Sequence, residues 1–229
     1  MKTIGLIGGT TCVSTLEYYR LINEETNKKL GGLNAAKCIL YSFNYADIDQ
    51  LNKSEDQGEI TRLVINTTKK LEKVSADCLV LCANTMHMYT DELLKNTTLP
   101  LIHIADAAAA EIKKQGLTQI GLLGTRWTME KDFYIRRLAD TGLKTIVPEK
   151  PEREFIHESI MEEFAKEIFL EETKVKFLKI INDLEQKGAQ GIVLGCTEIP
   201  LLIKQTDVRL PIFNTLELHA KAAVEFALS

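Results

Sequence analysis

The sequence predicts an α/β protein of two similar halves, each a parallel sheet covered by helices, with an active site in the crevice between them. Three observations predict it. Short continuous apolar runs alternate with segments of helical period, the pattern of parallel strands buried on both faces. Three segments recur in the same order at a nearly constant offset. Gln119-Ile120-Gly121-Leu122-Leu123-Gly124-Thr125 repeats Thr3-Ile4-Gly5-Leu6-Ile7-Gly8-Gly9, Ile192-Val193-Leu194-Gly195-Cys196-Thr197-Glu198 repeats Leu79-Val80-Leu81-Cys82-Ala83-Asn84-Thr85, and Leu210-Pro211-Ile212-Phe213 repeats Leu99-Pro100-Leu101-Ile102. Finally, no Gly/Ser linker or low-complexity tract separates the copies, so the halves are expected to pack tightly. Duplication of one α/β half explains this order. It assigns residues 1–104 plus 211–229 to the first half, closed by the C-terminal helix, and residues 105–210 to the second.

Taken in order, residues 3–7 predict a buried strand running into Gly8-Gly9-Thr10-Thr11, with Ser14 and Glu17 spaced as a capping box for the next helix. Residues 39–43 predict a second strand. Ile60, Leu63, Val64, Thr67, Leu71 and Val74 follow helical spacing, and a strand over 78–82 comes next. Residues 99–104 predict a short strand, and 105–115 an alanine-rich helix stopped by Gly116. After the strand at 119–123, Ile156, Ile160, Phe164 and Ile168 predict one helix. Val175, Leu178, Ile181 and Leu184 predict another that ends at Lys187-Gly188. The strand before Cys196, a short strand at 210–213 and a closing helix over 216–228 complete the chain.

Composition excludes several classes of function. The 229 residues are 45% hydrophobic and 26% charged, with a net charge of −4 spread along the helices, so no basic face argues for a nucleic-acid partner. No apolar run approaches the roughly 18 residues of a membrane span, and the apolar start is too short for a signal peptide. Five cysteines without a short-spaced framework fit reduced thiols, and the expected location is the cytoplasm. Gly5-Leu6-Ile7-Gly8-Gly9 lacks the dinucleotide-binding spacing, and no phosphate-binding loop motif occurs. Cys78 and Cys82 share a strand face without a second Cys/His cluster nearby, which gives a metal site no support. His87, His103, His157 and His219 are scattered and read as structural or surface residues. His87, just after a strand end, is the best functional candidate among them, and Trp127 reads as packing.

The chemistry concentrates at the repeated strand ends. In an open parallel sheet, ligands bind outside the carboxyl ends of the strands, where helix N–H groups converge. Cys196 lies at such an end, and a helix terminus beside it favours a thiolate suited to base or nucleophile chemistry. A buried structural cysteine is the alternative. Asn84, Thr85 and Thr197, with Thr10 after the first Gly-Gly and Thr125 and Thr128 after Gly124, present short polar groups suited to the carboxylate of a small ligand. Helix capping is the alternative for each threonine. The counterpart of Cys196 in the first copy is Ala83, which has no proton to give.

Four segments carry a family likeness: Ile4-Gly5-Leu6-Ile7-Gly8-Gly9 with Ser14-Thr15 and Tyr18-Tyr19; Asn84-Thr85-x-His87; Leu123-Gly124-Thr125-x-x-Thr128-Met129-Glu130; and Gly195-Cys196-Thr197-Glu198. Over nearly its whole length the chain resembles the aspartate/glutamate racemases, enzymes that need neither pyridoxal phosphate nor metal. The resemblance implies a homodimer and a small acidic amino acid, aspartate or glutamate, held between two cysteines, one from each half. A thiolate on one face of the α-carbon takes the proton and a thiol on the other face returns one. It gives one role to Cys196. Asn84, Thr85, Thr125, Thr128 and Thr197 would hold the α-carboxylate and ammonium, and Lys166 would hold the distal carboxylate. An exposed helical lysine is the other reading of Lys166.

Two departures stand out. The family's first cysteine directly precedes Asn-Thr, where this chain has Ala83. Cys82 is one step away and points to the opposite strand face. The family's Ser-Trp after Gly-Gly-x is replaced by Thr11-Cys12. Activity is therefore expected to be one-sided, weak or abolished. Four readings stay open: a one-thiol racemase using water or Thr85 on the other face, a Cys-to-Ala form that holds substrate unreacted, a single-cysteine decarboxylase-like enzyme, and an amino-acid-binding protein that has lost catalysis.

Overall fold

The recurring apolar runs are the central strands of two four-stranded parallel sheets in the computed structural model, which describes residues 1–54 and 56–229. The chain divides into two units, residues 1–103 with 219–229 and residues 104–218. In the first unit the elements run β1 (Ile4–Gly8), α1 (Cys12–Leu30), β2 (Cys38–Ser42), α2 (Tyr45–Lys53), α3 (Gln57–Lys73), β3 (Cys78–Leu81), α4 (Thr90–Leu94) and β4 (Leu101–Ile102). The second unit runs α5 (Ile104–Lys114), β5 (Gln119–Gly124), α6 (Arg126–Glu130), α7 (Asp132–Ala139), β6 (Lys144–Ile146), α8 (Lys150–Glu158), α9 (Glu171–Gln186), β7 (Ile192–Gly195), α10 (Ile199–Leu202) and β8 (Ile212–Asn214). Helix α11 (Thr215–Leu228) begins in the second unit and ends in the first.

The sheets have the same topology, β2-β1-β3-β4 and β6-β5-β7-β8. Their registers match residue for residue with the sequence repeat. Gly5 pairs with Leu79 as Gly121 pairs with Ile192, and Ile7 with Leu81 as Leu123 with Leu194. In both sheets the strand order reverses between the first and third strands, which creates a switch point at their carboxyl ends. Each sheet has its own core. Ile7, Leu79 and Leu81 pack with Ile60, Val64 and Leu71 of α3, and Leu123, Val193 and Leu194 pack with Ile112, Phe177 and Ile181. Each such buried side chain contributes about 1.5–3 kcal/mol.

Several expectations are corrected. Helix α1 is capped by Thr11, whose extended backbone (φ −147°, ψ 144°) lets its hydroxyl oxygen accept from the Ser14 N–H at 3.3 Å. Ser14 and Glu17 are therefore inside the helix and form no capping box. The segment predicted as one helix through Ile168 is α8, a wide π turn over Ser159–Glu163 and a 3-10 turn over Phe164–Lys166, stopped by Glu167 in the left-handed region (φ 58°). Ile156, Ile160 and Phe164 keep their burial across this change of pitch, and Ile168 is left exposed. The strand at 99–104 shrinks to Leu101–Ile102, because Ile104 already starts α5. Strand β8 (Ile212–Asn214) pairs with β7 and so belongs to the second sheet. Among the described residues, no helix is long and apolar enough to cross a membrane.

Candidate active site

In the second unit, the switch point between β5 and β7 is built on two paired glycines. Gly124 and Gly195 are partners in the ladder. A Cβ on Gly124 would lie 2.8 Å from the Gly195 carbonyl, and one on Gly195 would lie 3.0 Å from the Leu123 carbonyl and 3.1 Å from Thr128 Cγ2. The missing side chains let Thr128, which is fully buried, settle against the strand ends. Its Oγ1 is 3.2 Å from Thr125 Oγ1. Thr125 precedes α6 yet its hydroxyl makes no capping bond, so capping does not account for this pair.

Cys196 follows directly and is 7% exposed. Its thiol donates to Glu198 Oε2 at 2.9 Å, and the Thr197 hydroxyl donates to the same oxygen at 2.7 Å. The surroundings of this thiol oppose the expected thiolate. Burial, and after it the Glu198 carboxylate, push the Cys196 thiol well above its ordinary range, and the N–H groups of Glu198 and Ile199 at the start of α10 only partly offset them.

In the first unit, β1 ends at the Gly8-Gly9 turn. Gly9 has φ +84°, and a Cβ there would lie 2.2 Å from the Phe43 carbonyl oxygen, so only glycine fits. Its N–H donates to Thr15 Oγ1 at 2.9 Å. Thr10 and Asn84 are buried, and Thr85 is half-buried. Ala83, half-buried and extended (φ −155°, ψ 143°), leads into a 3-10 turn over Asn84–Tyr89. Cys82 is fully buried, its Sγ 3.9 Å from the Val80 carbonyl oxygen, and burial pushes its thiol up. Strand alternation thus sends Cys82 into the core, as the sequence predicts.

Three of the four histidines read as scattered are brought together by the fold. The rings of His87 and His103 have centroids 4.5 Å apart, those of His87 and His219 5.5 Å, and all three are buried. His219 bridges the Tyr18 hydroxyl at 2.7 Å and the Ile102 carbonyl at 2.6 Å, and His87 Nδ1 lies 3.1 Å from the Ala83 carbonyl oxygen. This cluster ties the first half of α11 to α1, β4 and the turn after β3. Among the described residues, no group of three or more His, Cys, Asp or Glu is arranged to hold a metal ion.

Lys166 lies in the 3-10 turn after the π turn, with its exposed ammonium 2.7 Å from Glu162. That ion pair lies at the surface, with the two side chains 57% and 72% exposed. Sequence reasoning missed the contact that defines the second unit's site, Glu198 on Cys196. The signal was present as a carboxylate two residues beyond the cysteine at a strand-to-helix turn.

A family model for Asp/Glu/Hydantoin racemase matches residues 6–223. The broad specificity amino-acid racemase of Bacillus subtilis is 23% identical over 99% of this chain and 98% of its own length. A glutamate racemase of Persephonella marina is 28% identical over 76% of this chain and 68% of its own. Two solved structures are similar over the whole of both chains: a candidate Asp/Glu racemase from Yersinia pestis (43% identity, TM-score 0.95) and an aspartate racemase homologue from Pyrococcus horikoshii (36%, TM-score 0.87). The match at 6–223 takes in both sheets and both strand ends, and the chain belongs to the Asp/Glu/Hydantoin racemase family.

Proposed function

We propose that this chain is an amino-acid isomerase of the aspartate/glutamate type that moves the α-proton by acid/base chemistry at Cys196, without a cofactor. The observation that carries the proposal is the buried Cys196 thiol at the β5–β7 switch point, in contact with a carboxylate. Proton abstraction next to a carboxylate needs a base of this kind and nearby donors for the charge that develops. Thr125 and Thr128 are proposed to hold the substrate α-carboxylate, and Thr10, Asn84 and Thr85 keep a proposed substrate-binding role on the family likeness alone. The Thr197 hydroxyl hydrogen is taken by Glu198, so the proposed role of Thr197 narrows to accepting from the substrate ammonium. For Lys166, a distal carboxylate would have to compete with Glu162.

Racemisation requires a proton donor on the second face of the α-carbon. The counterpart of Cys196 is Ala83, so the activity is proposed to be one-sided. The test is incubation with L- and D-aspartate and L- and D-glutamate in deuterated water, followed by mass and chiral analysis. One enantiomer should exchange its α-proton much faster than the other, and Cys196→Ala should abolish that exchange. Equal exchange of both enantiomers would sink the one-sided reading.

The alanine at 83 also favours a second reading, a single-cysteine decarboxylase-like enzyme that protonates an enolate from one face. Carbon dioxide release from a disubstituted malonate, without α-proton exchange, would select it. Binding of both enantiomers with neither reaction would select a protein that holds amino acids and has lost catalysis. We further propose a homodimer working in a reducing cytoplasm, a reading supported by the family likeness and by five free cysteines.

A further inference from the structure

We infer that His87 is a positioning residue for the first strand end: its ring donates from Nδ1 to the Ala83 carbonyl and thereby sets the turn that presents Asn84 and Thr85 to the substrate. The inference deepens the proposed α-proton chemistry and rests on it, since the substrate role of Asn84 and Thr85 belongs to that reading. Its basis lies wholly within the first unit. Ala83 is the extended residue that leads into the 3-10 turn over Asn84–Tyr89, and alanine has no polar side chain with which to fix its own backbone there. His87, four residues further on, does so instead, with Nδ1 3.1 Å from the Ala83 carbonyl oxygen. A carbonyl oxygen only accepts, so Nδ1 carries the hydrogen. At the far end of the turn the Thr90 N–H donates to the His87 carbonyl.

The ring is itself held in place. His87 makes edge contacts with the rings of His103 (centroids 4.5 Å apart, planes at 66°) and His219 (5.5 Å, 63°). His219 is fixed at both nitrogens. Its Nε2 lies 2.6 Å from the Ile102 carbonyl oxygen and so carries hydrogen, and a neutral ring then accepts at Nδ1 from the Tyr18 hydroxyl at 2.7 Å. Apolar side chains would fill this space without the cost of burying imidazoles, so packing alone does not account for histidine at 87. What histidine adds is a donor aimed at residue 83. That residue is the counterpart of Cys196, and it is alanine. The first strand end can therefore give the substrate contacts but no proton, and those contacts depend on the direction of the chain after residue 83. Loss of the His87 donor should weaken binding and leave the chemistry at Cys196 largely intact. His87, 1% exposed, acts through the Ala83 backbone and does not touch the substrate.

The experiment compares wild type with two variants at neutral pH. His87→Asn keeps an amide donor in place of Nδ1 and loses the ring, whereas His87→Phe keeps a ring and loses the donor. The first measurement is KM and kcat for α-proton exchange in deuterated water, with the enantiomer that wild type exchanges faster. His87→Phe should raise KM roughly tenfold with kcat within about threefold, and His87→Asn should stay within about threefold of wild type in both. A ring that only fills space predicts the reverse order, with Phe near wild type and Asn impaired. That order, an equal rise in both variants, or an unchanged KM in His87→Phe overturns the inference. If His87→Phe does not fold, His87→Asn decides: a KM within about threefold of wild type upholds the inference, and a rise of roughly tenfold overturns it. The second measurement, amide hydrogen exchange by peptide mass spectrometry, needs no substrate. His87→Phe should speed exchange over residues 83–90 by about tenfold or more and leave β1 unchanged, and His87→Asn should match wild type in both segments. If wild type exchanges the α-proton of no amino acid, the functional proposal fails instead. Amide exchange then judges the positioning role: a faster rate over 83–90 in His87→Phe alone upholds it, and equal rates in all three proteins overturn it.

Discussion

Acidification should weaken the first unit through His87, and the size of the effect follows from its surroundings. His87 is 1% exposed, with the rings of His103 and His219 packed against it. Burial first, then the two neighbouring imidazoles, hold its pKa well below the ordinary value, against smaller contributions from the backbone of Ala83 and Asn84. The unfolded chain therefore binds a proton at this residue that the folded chain refuses. By linkage, the stability is fully present above about pH 6.5 and is lost as pH falls below it, at up to about 1.4 kcal/mol per pH unit. The assay is urea unfolding of wild type and His87→Asn, followed by circular dichroism at several values between about pH 7.5 and pH 4.5. Asparagine keeps an amide donor for the Ala83 carbonyl and cannot be charged. The variant should be less stable than wild type at neutral pH, and the gap should narrow as pH falls below about 6.5. Carboxylate titration elsewhere is common to both proteins and cancels. Parallel pH profiles would refute the reasoning.

Two further predictions concern the second unit. Gly195→Ala puts a methyl 3.0 Å from both the Leu123 carbonyl and Leu122 Cδ1 and 3.1 Å from Thr128 Cγ2, so thermal unfolding should show a loss of about 1–3 kcal/mol. An unchanged melting temperature would mean that Thr128 can shift without cost. Lys166→Met should change stability by less than about 0.5 kcal/mol, because its pair with Glu162 is exposed. If Lys166 binds the distal carboxylate, the same variant should raise KM for aspartate and glutamate at least tenfold while leaving a neutral amino acid unaffected; equal KM values would remove it from the site.

Much of the fold was legible because the sequence says it twice. Residues 3–9 and 119–125 share glycine spacing and apolar runs, and the matched registers of the two sheets show that this likeness is structural. What escaped was written in short or irregular pieces. The three-residue strand β6 offers no alternation to detect, and α2, α6 and α7 are too short for a clear period. The π turn at Ser159–Glu163 keeps apolar residues four apart and so imitates an unbroken helix. The site was legible as motifs and illegible as charges. Cys196 and Glu198 are two apart in sequence, but only the strand-to-helix turn folds the carboxylate back onto the thiol. The histidine cluster gathers residues from positions 87, 103 and 219, a convergence that no local pattern encodes.

The difference between the two strand ends is chemical, since their backbones share a register. In the second unit the order is glycine then cysteine, and the thiol faces the switch point. In the first it is cysteine then alanine, so the thiol sits one residue early and strand alternation turns it into the core. Cys82 is fully exchanged for packing, with Ser14 bonded to its carbonyl. This separates two substitutions that look alike on paper. Cys82→Ala should leave α-proton exchange unchanged and cost about 1 kcal/mol in unfolding, the effect of a small buried side chain removed. Ala83→Cys should instead add a proton donor at the counterpart of Cys196 and convert one-sided exchange into racemisation of both enantiomers. The measurement is the ratio of chiral inversion to α-proton exchange in deuterated water. A rise toward one in Ala83→Cys, with no change in Cys82→Ala, identifies position 83 as the missing second base; a loss of exchange in Cys82→Ala would show that the buried thiol reaches the chemistry and that the alternation argument is wrong.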